Sequence, residues 1–399
     1  MMYNIHRFSL VVAVLATLSS CAKPPVPGTS LSPSISSGLI GTINWGDTAR
    51  TQVAANYFSK MLNQPPYLTA FLEAMPKGAD LHIHLSGAIY AETYINWAAE
   101  DQRCVNTKNW EVSPGPCGDG EQLVSEAFKN NVLYRKILEQ WSMHNWQLSG
   151  NSGHDHFFDT FGKFSRAKDD RDGDMLAKVT QRAAKENLVY LELMMTFSSG
   201  EMRDLGLQVG LDGGFESARQ GIANRGLGEL LTSSQQLLNE AEARQRELLK
   251  CGTPEAEPGC DVVVRYIHQV NRLRSPEKIF ADMLVGFELM RLDPRVVGLN
   301  MVAPEDNSRA LKDYTLHMQM LEYLGREYPE GNVTLHAGEL TTGLVPPEDL
   351  DFHIREAVDI AKAKRIGHGV DVMSEDKPFR LLDTMAERKV MVEICLTSN

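Results

Sequence analysis

Positive charge is scarce in this 399-residue chain: 40 Lys and Arg stand against 52 Asp and Glu, a formal net charge of −12 at pH 7. That balance argues against a dedicated nucleic-acid binder, because a phosphate backbone calls for a basic footprint. It does not exclude a small neutral ligand. A glycine-rich phosphate loop is also missing, which leaves a dinucleotide-binding fold with little support. There is no internal repeat, and no second domain stands alone. The apolar run Phe8–Leu18 is too short for an ordinary helical membrane span. Hydrophobic residues make up 43% and charged residues 23% of the chain, so enough apolar side chains remain for one large globular fold.

Cysteine is sparse, six in all, and each position can be read separately. Arg7 gives the apolar run a short basic flank, and the run ends in Leu18-Ser19-Ser20-Cys21. This resembles a bacterial lipoprotein signal (residues 1–20) with Cys21 as the acylated residue; a plain secretory signal is the alternative. Ala22 is not the aspartate that often retains lipoproteins at an inner membrane. The expected address is therefore the cell envelope, as an outer-membrane lipoprotein facing the periplasm or otherwise outside the cytoplasm. Residues 21–48 read as a tether, rich in Pro and Ser. Cys104 with Cys117, and Cys251 with Cys260, bracket turn-rich loops and are expected to form local disulfides in an oxidising compartment, with reduced pairs the alternative. Cys395 sits in an apolar run and reads as a small buried residue.

Residues 49–78 read as a helical lead-in interrupted at Pro65-Pro66. Short apolar runs then recur at 79–85, 188–194, 262–268, 296–302, 333–336, 365–368 and 390–396, with helical stretches between them. Buried strands alternating with helices predict a parallel sheet, and seven such runs over 79–399 predict a (β/α)8 barrel lacking its eighth strand. An insertion falls around 101–165; its 121–146 portion reads as helix, and the aromatic stretch His156–Phe164 is expected to pack over one end of the fold.

Four segments can carry chemistry. In Asp80-Leu81-His82-Ile83-His84-Leu85 the two histidines are two apart in a strand, so they face the same way. Together they suit two corners of a metal site, or simply a polar cleft. Val333-Thr334-Leu335-His336-Ala337-Gly338-Glu339 ends a strand and turns at Gly338. At a barrel's C-terminal mouth His336 supplies a third ligand, while Glu339 carries a proton or merely begins a helix. Arg365-Ile366-Gly367-His368-Gly369 places His368 at a strand end, as a base or as a hydrogen-bonded structural residue. Leu396-Thr397-Ser398-Asn399 caps the last run.

These segments resemble the adenosine and AMP deaminase family. The matching pieces are MPKGADLHIHLSGA (75–88), VTLHAGE (333–339), RIGHG (365–369) and LTSN (396–399), in family order across most of the chain. The Met-Pro-Lys-Gly lead-in and the N-terminal signal tilt the resemblance toward the secreted adenosine deaminase-related growth factor group. It implies one zinc ion per subunit on His82, His84 and His336. It also implies protonation of the purine ring nitrogen by Glu339, and help from His368 in deprotonating the attacking water. The implied substrate is adenosine or 2'-deoxyadenosine; adenine, AMP or binding without turnover are the alternatives. A homodimer is known in the group, though no feature here fixes an interface. Gly87 falls near the ribose, and Lys77 shapes the lead-in.

Three departures from the family pattern stand out. Ser86 occupies a position where many cytosolic members have a ribose-binding aspartate. Ala303 aligns loosely with a glycine that binds the purine through its backbone. The paired aspartate expected one helix and strand beyond LTSN is not within these 399 residues, so the chain reads as C-terminally incomplete, with three of four protein zinc ligands. Without that pair, the 399 residues alone are expected to be inactive.

Overall fold

The computed structural model describes residues 48–396. The apolar run Phe8–Leu18, Cys21 and the tether up to residue 47 lie outside the described residues, as do Thr397, Ser398 and Asn399. The chain divides into two compact units, 1–68 and 69–399. Within the first, helix Thr48–Met61 is followed by a helix that begins at Pro65, where proline's missing N–H falls in the first helical turn and costs nothing. None of the described helices is long and apolar enough to cross a membrane.

The second unit is built on seven parallel strands: β1 (Gly78–His84), β2 (Leu188–Met195), β3 (Val263–Asn271), β4 (Val296–Val302), β5 (Thr334–Ala337), β6 (Arg365–His368) and β7 (Met391–Glu393). Each pairs with its successor: β1 to β4 form one ladder and β5 to β7 another, joined by a parallel bridge between Leu299 and Val333. Helices such as Asp172–Lys185, Pro276–Leu292 and Ser308–Glu327 connect them. This is the expected α/β alternation, with β1 and β7 as the outer strands of the row among the described residues.

Alternation along each strand separates two environments. Leu191, Leu193, Tyr266, Leu299, Leu335 and Ile366 are fully or almost fully buried in the apolar core. The opposite faces carry polar groups that meet one another across the curled sheet. Arg365 on β6 reaches Glu192 on β2 at 2.6 Å and Glu393 on β7 at 2.6 Å. Glu393 in turn lies 2.7 Å from His82 on β1. The curvature therefore brings the two outer strands' side chains together.

The insertion differs from its expectation. Residues 121–146 are not one helix: Glu121–Leu123 is a strand, Val124–Lys129 a 3-10 turn, and only Asn131–Trp141 is α-helical. Glu121–Leu123 joins Cys104–Asn106 and Val112–Ser113 in a small antiparallel sheet. The physical reason is local pairing: residues 104–106 offer a partner edge, and Asn130 caps the helix by accepting from the backbone N–H groups of Val132 and Leu133. Both expected disulfides, Cys104–Cys117 and Cys251–Cys260, are formed. Two helices, Gly200–Val209 and Gly214–Ala223, were not legible as separate elements.

The Arg365 network generates a test. Arg365→Met leaves Glu192 and Glu393, both mostly buried, without their shared cation, and should destabilise the metal-free protein by about 3–5 kcal/mol. Chemical denaturation measures this. Adding Glu192→Gln to the same variant should recover part of the loss, and an unchanged midpoint for the single variant would show that the network contributes nothing.

Candidate metal and catalytic site

Three of the expected histidines converge at the C-terminal ends of the strands. His336 Nε2 lies 3.1 Å from His82 Nε2 and 3.0 Å from His84 Nε2. The other ring nitrogen of each faces an oxygen: His82 Nδ1 to Glu393 Oε2 at 2.7 Å, His336 Nδ1 to Asn300 Oδ1 at 2.9 Å, and His84 Nδ1 to Gln269 Oε1 at 3.4 Å. Those oxygens are fixed as acceptors. Asn300 Oδ1 also accepts from the His336 backbone N–H, and Gln269 Nε2 donates to Thr196 Oγ1. A neutral imidazole in such a setting carries its proton on Nδ1 and turns the Nε2 lone pair away.

Three Nε2 atoms face one another in a mostly buried pocket, and their lone pairs repel unless a proton on His82 or a metal cation lies among them. Two imidazoles on a tetrahedral divalent ion at about 2.0–2.1 Å have their nitrogens about 3.3 Å apart, close to the two separations seen here. The residues fit a metal ion, and the outward hydrogen bonds are those that orient metal-bound histidines. The trio whose ligand atoms all lie within 4.8 Å of one another is His82, His336 and His368. His84 is outside that mutual set but within 3.0 Å of His336. The donor pattern favours His82, His84 and His336 as ligands, because each has its Nδ1 side held by an oxygen.

Electrostatics follow the same division. Burial, reinforced by the charge of His82, lowers the His84 pKa to about 4, and burial puts His336 well below its usual value. Burial also pulls on His82, but hydrogen bonds to Cys395 and Glu393 outweigh it and hold that pKa at about 9. Cys395 is thus not a buried strand residue as expected: it lies past the end of β7, half-buried, on the same side as Glu393.

His368 reaches the site by an unusual route. Arg365 and Gly367 face inward, so strict alternation would point His368 out. Its φ of +72°, in the left-handed region, turns it in, and its ring centre lies 5.4 Å from that of His82 and 5.3 Å from that of His336. Gly367 makes room for the histidine cluster, since a Cβ there would meet His82 Cε1 at 2.8 Å. Glu339 Oε1 is 3.6 Å from His368 Nε2. Burial, followed by the nearby charge of Glu305, raises the Glu339 pKa to about 7, so a proton can be held there near neutrality.

The remaining expected residues sit on strand-end loops, and none is hydrogen-bonded to the histidine cluster among the described residues. Ser86 accepts a hydrogen bond from Tyr94 through its backbone carbonyl. Gly87 lies under Phe161 of the insertion helix Gly153–Phe164, whose ring would be 3.3 Å from any Cβ added there. Ala303 has a φ of +84°, a conformation that favours glycine. Lys77 donates to the Glu186 carbonyl, a structural contact. Sequence reading missed Glu393, Asn300 and Gln269. Their only sequence signal was a polar residue facing inward from a strand.

A family model described as adenosine deaminase matches residues 151–399, more than half of the chain. The chain belongs to the adenosine deaminase family. The adenosine deaminase of Yersinia pseudotuberculosis is 43% identical over 67 residues, 17% of either chain, so the alignment spans 17% of the length of that curated relative. Among solved structures, adenine deaminase from Arthrobacter aurescens is 17% identical with a TM-score of 0.43, over 80% of this chain and 72% of that one. Arabidopsis ADAL, in complex with IMP, is 20% identical with a TM-score of 0.47, over 82% and 73% of the respective chains.

Two measurements check the cluster in this family member. Glu393→Gln keeps the shape but weakens the acceptor behind His82, and should lower Zn2+ affinity by about 10–100-fold, read by competition with a chelating dye. Because His82 holds its second proton up to about pH 9, Zn2+ uptake at pH 7 should expel about one proton. That release should vanish as pH rises through 9. Calorimetry in buffers of different ionisation enthalpy counts the protons, and none released at pH 7 would contradict the assignment.

Proposed function

We propose that the protein is a zinc-dependent aminohydrolase acting on adenosine or 2'-deoxyadenosine, releasing ammonia and leaving inosine or 2'-deoxyinosine. The observation that carries this reading is His336 Nε2 within 3.1 Å of His82 Nε2 and 3.0 Å of His84 Nε2, with Glu339 and His368 facing each other beside them. Zinc held by the three imidazoles supplies Lewis acidity that makes water a nucleophile near neutral pH.

The chain's own residues supply the rest. Glu339, protonated near pH 7, donates to N1 of the purine and makes C6 more electrophilic. His368 accepts a proton from the water that attacks C6. The proton taken up by His368 then passes to the amino group, the C6–N bond breaks and ammonia leaves; the added hydroxyl returns its proton to Glu339, and its oxygen remains on the base as the carbonyl. Ala303, Ser86 and Gly87 are proposed to meet the nucleoside, with Ser86 offering the sugar a neutral hydrogen-bonding group.

A nucleoside is favoured over a nucleotide by the charge of the rim. The loops after β4 and β5 carry Asp306, Glu339, Glu348, Asp349 and Asp351, and neither 303–308 nor 338–352 contains a lysine or arginine. A phosphate would find no cation there. We further propose an envelope address through Cys21 and kinship with the secreted growth-factor-related group, on the N-terminal signal and the Met75–Gly78 lead-in.

In the full-length, zinc-loaded protein Glu339→Gln should lower ammonia release by about 10²–10⁴-fold while zinc content stays at the wild-type level. Unchanged turnover would remove Glu339 from its role. A panel of adenosine, 2'-deoxyadenosine, adenine and AMP assayed for ammonia decides the substrate, and AMP turned over as well as adenosine would overturn the nucleoside reading.

A further inference from the structure

Glu305 is almost completely buried, yet it lies in the loop after β4 with no lysine or arginine hydrogen-bonded to it among the described residues. Its carboxylate is nevertheless well supplied with donors. Oε1 accepts from the Gly338 backbone N–H at 3.1 Å and from His353 Nδ1 at 2.7 Å; Oε2 accepts from the Glu339 backbone N–H at 2.9 Å. Burial alone would favour the neutral acid, but the His353 hydrogen bond, with Arg272 nearby, outweighs it and keeps the group ionised.

These contacts act on one turn. Gly338 has a φ of +72°, and a Cβ on it would meet Asp371 Oδ1 at 2.3 Å and Ile354 at 2.6 Å. Its carbonyl accepts from the Val370 backbone N–H at 2.9 Å. The peptide that carries Glu339 is therefore held on one side by the loop after β6, and on the other by a carboxylate bridging two consecutive N–H groups. His353, at the start of the following helix, anchors that carboxylate, and Tyr314 stacks on the His353 ring at 3.8 Å.

We propose that Glu305 is a positioning residue for the reaction: by fixing the Gly338–Glu339 peptide it aims the Glu339 side chain at the reacting base. This role rests on the aminohydrolase reading above. Glu305 itself touches neither the histidine cluster nor any surface open to substrate. Two carboxylates would normally avoid such proximity, and here the backbone donors and His353 offset the repulsion.

Glu305→Gln tests the role in the full-length protein. The amide has the carboxylate's shape but only one acceptor oxygen, and its NH2 would oppose a backbone N–H. We expect kcat to fall by about a hundredfold, as a displaced acid would cause, with KM and zinc content unchanged. In zinc-free protein, hydrogen exchange at the amides of Gly338 and Glu339 should accelerate by roughly tenfold or more. Gly173→Ala is the stability control: its Cβ would clash with Arg244 and Ala241 between two remote helices, and kcat should stay at the wild-type value.

Wild-type kcat in Glu305→Gln with exchange accelerated would overturn the positioning role. Unchanged exchange would overturn the contact itself. If Glu305→Gln does not fold, Glu305→Asp, which withdraws the carboxylate by one methylene, should show the same loss of kcat, and full activity in it would overturn the proposal. A wild type that releases no ammonia from any aminopurine would instead sink the functional reading, while the exchange result would still report on the contact.

Discussion

The 2.7 Å contact between His82 Nδ1 and Glu393 Oε2 is the constraint on which the mouth of the barrel depends. It joins the first and last strands of the described row, which no backbone ladder connects. It also sets the tautomer of His82, and so decides which nitrogen faces His336. Glu393 can serve both ends only because Arg365 holds its other oxygen at 2.6 Å and is itself held by Glu192. The same side chains that curve the sheet therefore aim the candidate metal ligands. Fold and site share one network of charges in a mostly buried interior, where an unpaired member is costly.

The site works by giving chemically similar groups different surroundings. His84 and His336 are kept neutral by burial, whereas His82 is pushed the other way by its carboxylate and Cys395. Glu305 and Glu339 are separated in the same manner. Glu305 is surrounded by donors and stays ionised, while Glu339 has the Glu305 charge behind it and a raised pKa. In the proposed reaction one carboxylate is a fixed strut and the other a proton carrier, and environment rather than residue type makes the distinction.

Much of this was legible in the sequence, for identifiable reasons. His82 and His84 show themselves by the two-residue period of a strand, and the seven parallel strands by their apolar runs. The disulfides were legible because each pair closes a short loop rich in turn formers. The residues behind the histidines were not. Glu393 lies more than 300 positions from His82, and no local pattern announces a partner so far away. Asn300 and Gln269 are amides inside strands, where a hydrogen-bonded core amide would read identically. The insertion was misread because helix propensity around Glu121–Leu123 gave way to pairing with Cys104–Asn106, a tertiary preference that composition does not display.

Backbone conformation supplies the last step. Three neighbouring strands end on left-handed residues: Ala303 after β4, Gly338 after β5 and His368 at the end of β6, with φ of +84°, +72° and +72°. Each turn breaks the in-and-out alternation that the strand would otherwise impose. At His368 the break brings in a side chain that alternation would have pointed toward the helices. At Gly338 it reverses the chain so that Glu339 follows within reach of His368. Only the middle position is glycine, so Ala303 and His368 carry a conformational cost of order 1–3 kcal/mol each, a cost sustained only where surrounding contacts over-determine the backbone. At Gly338 those contacts are Glu305 on one side and the Gly369–Asp371 turn on the other, and the rigidity of the strand ends, rather than any one side chain, keeps Glu339 and His368 facing each other.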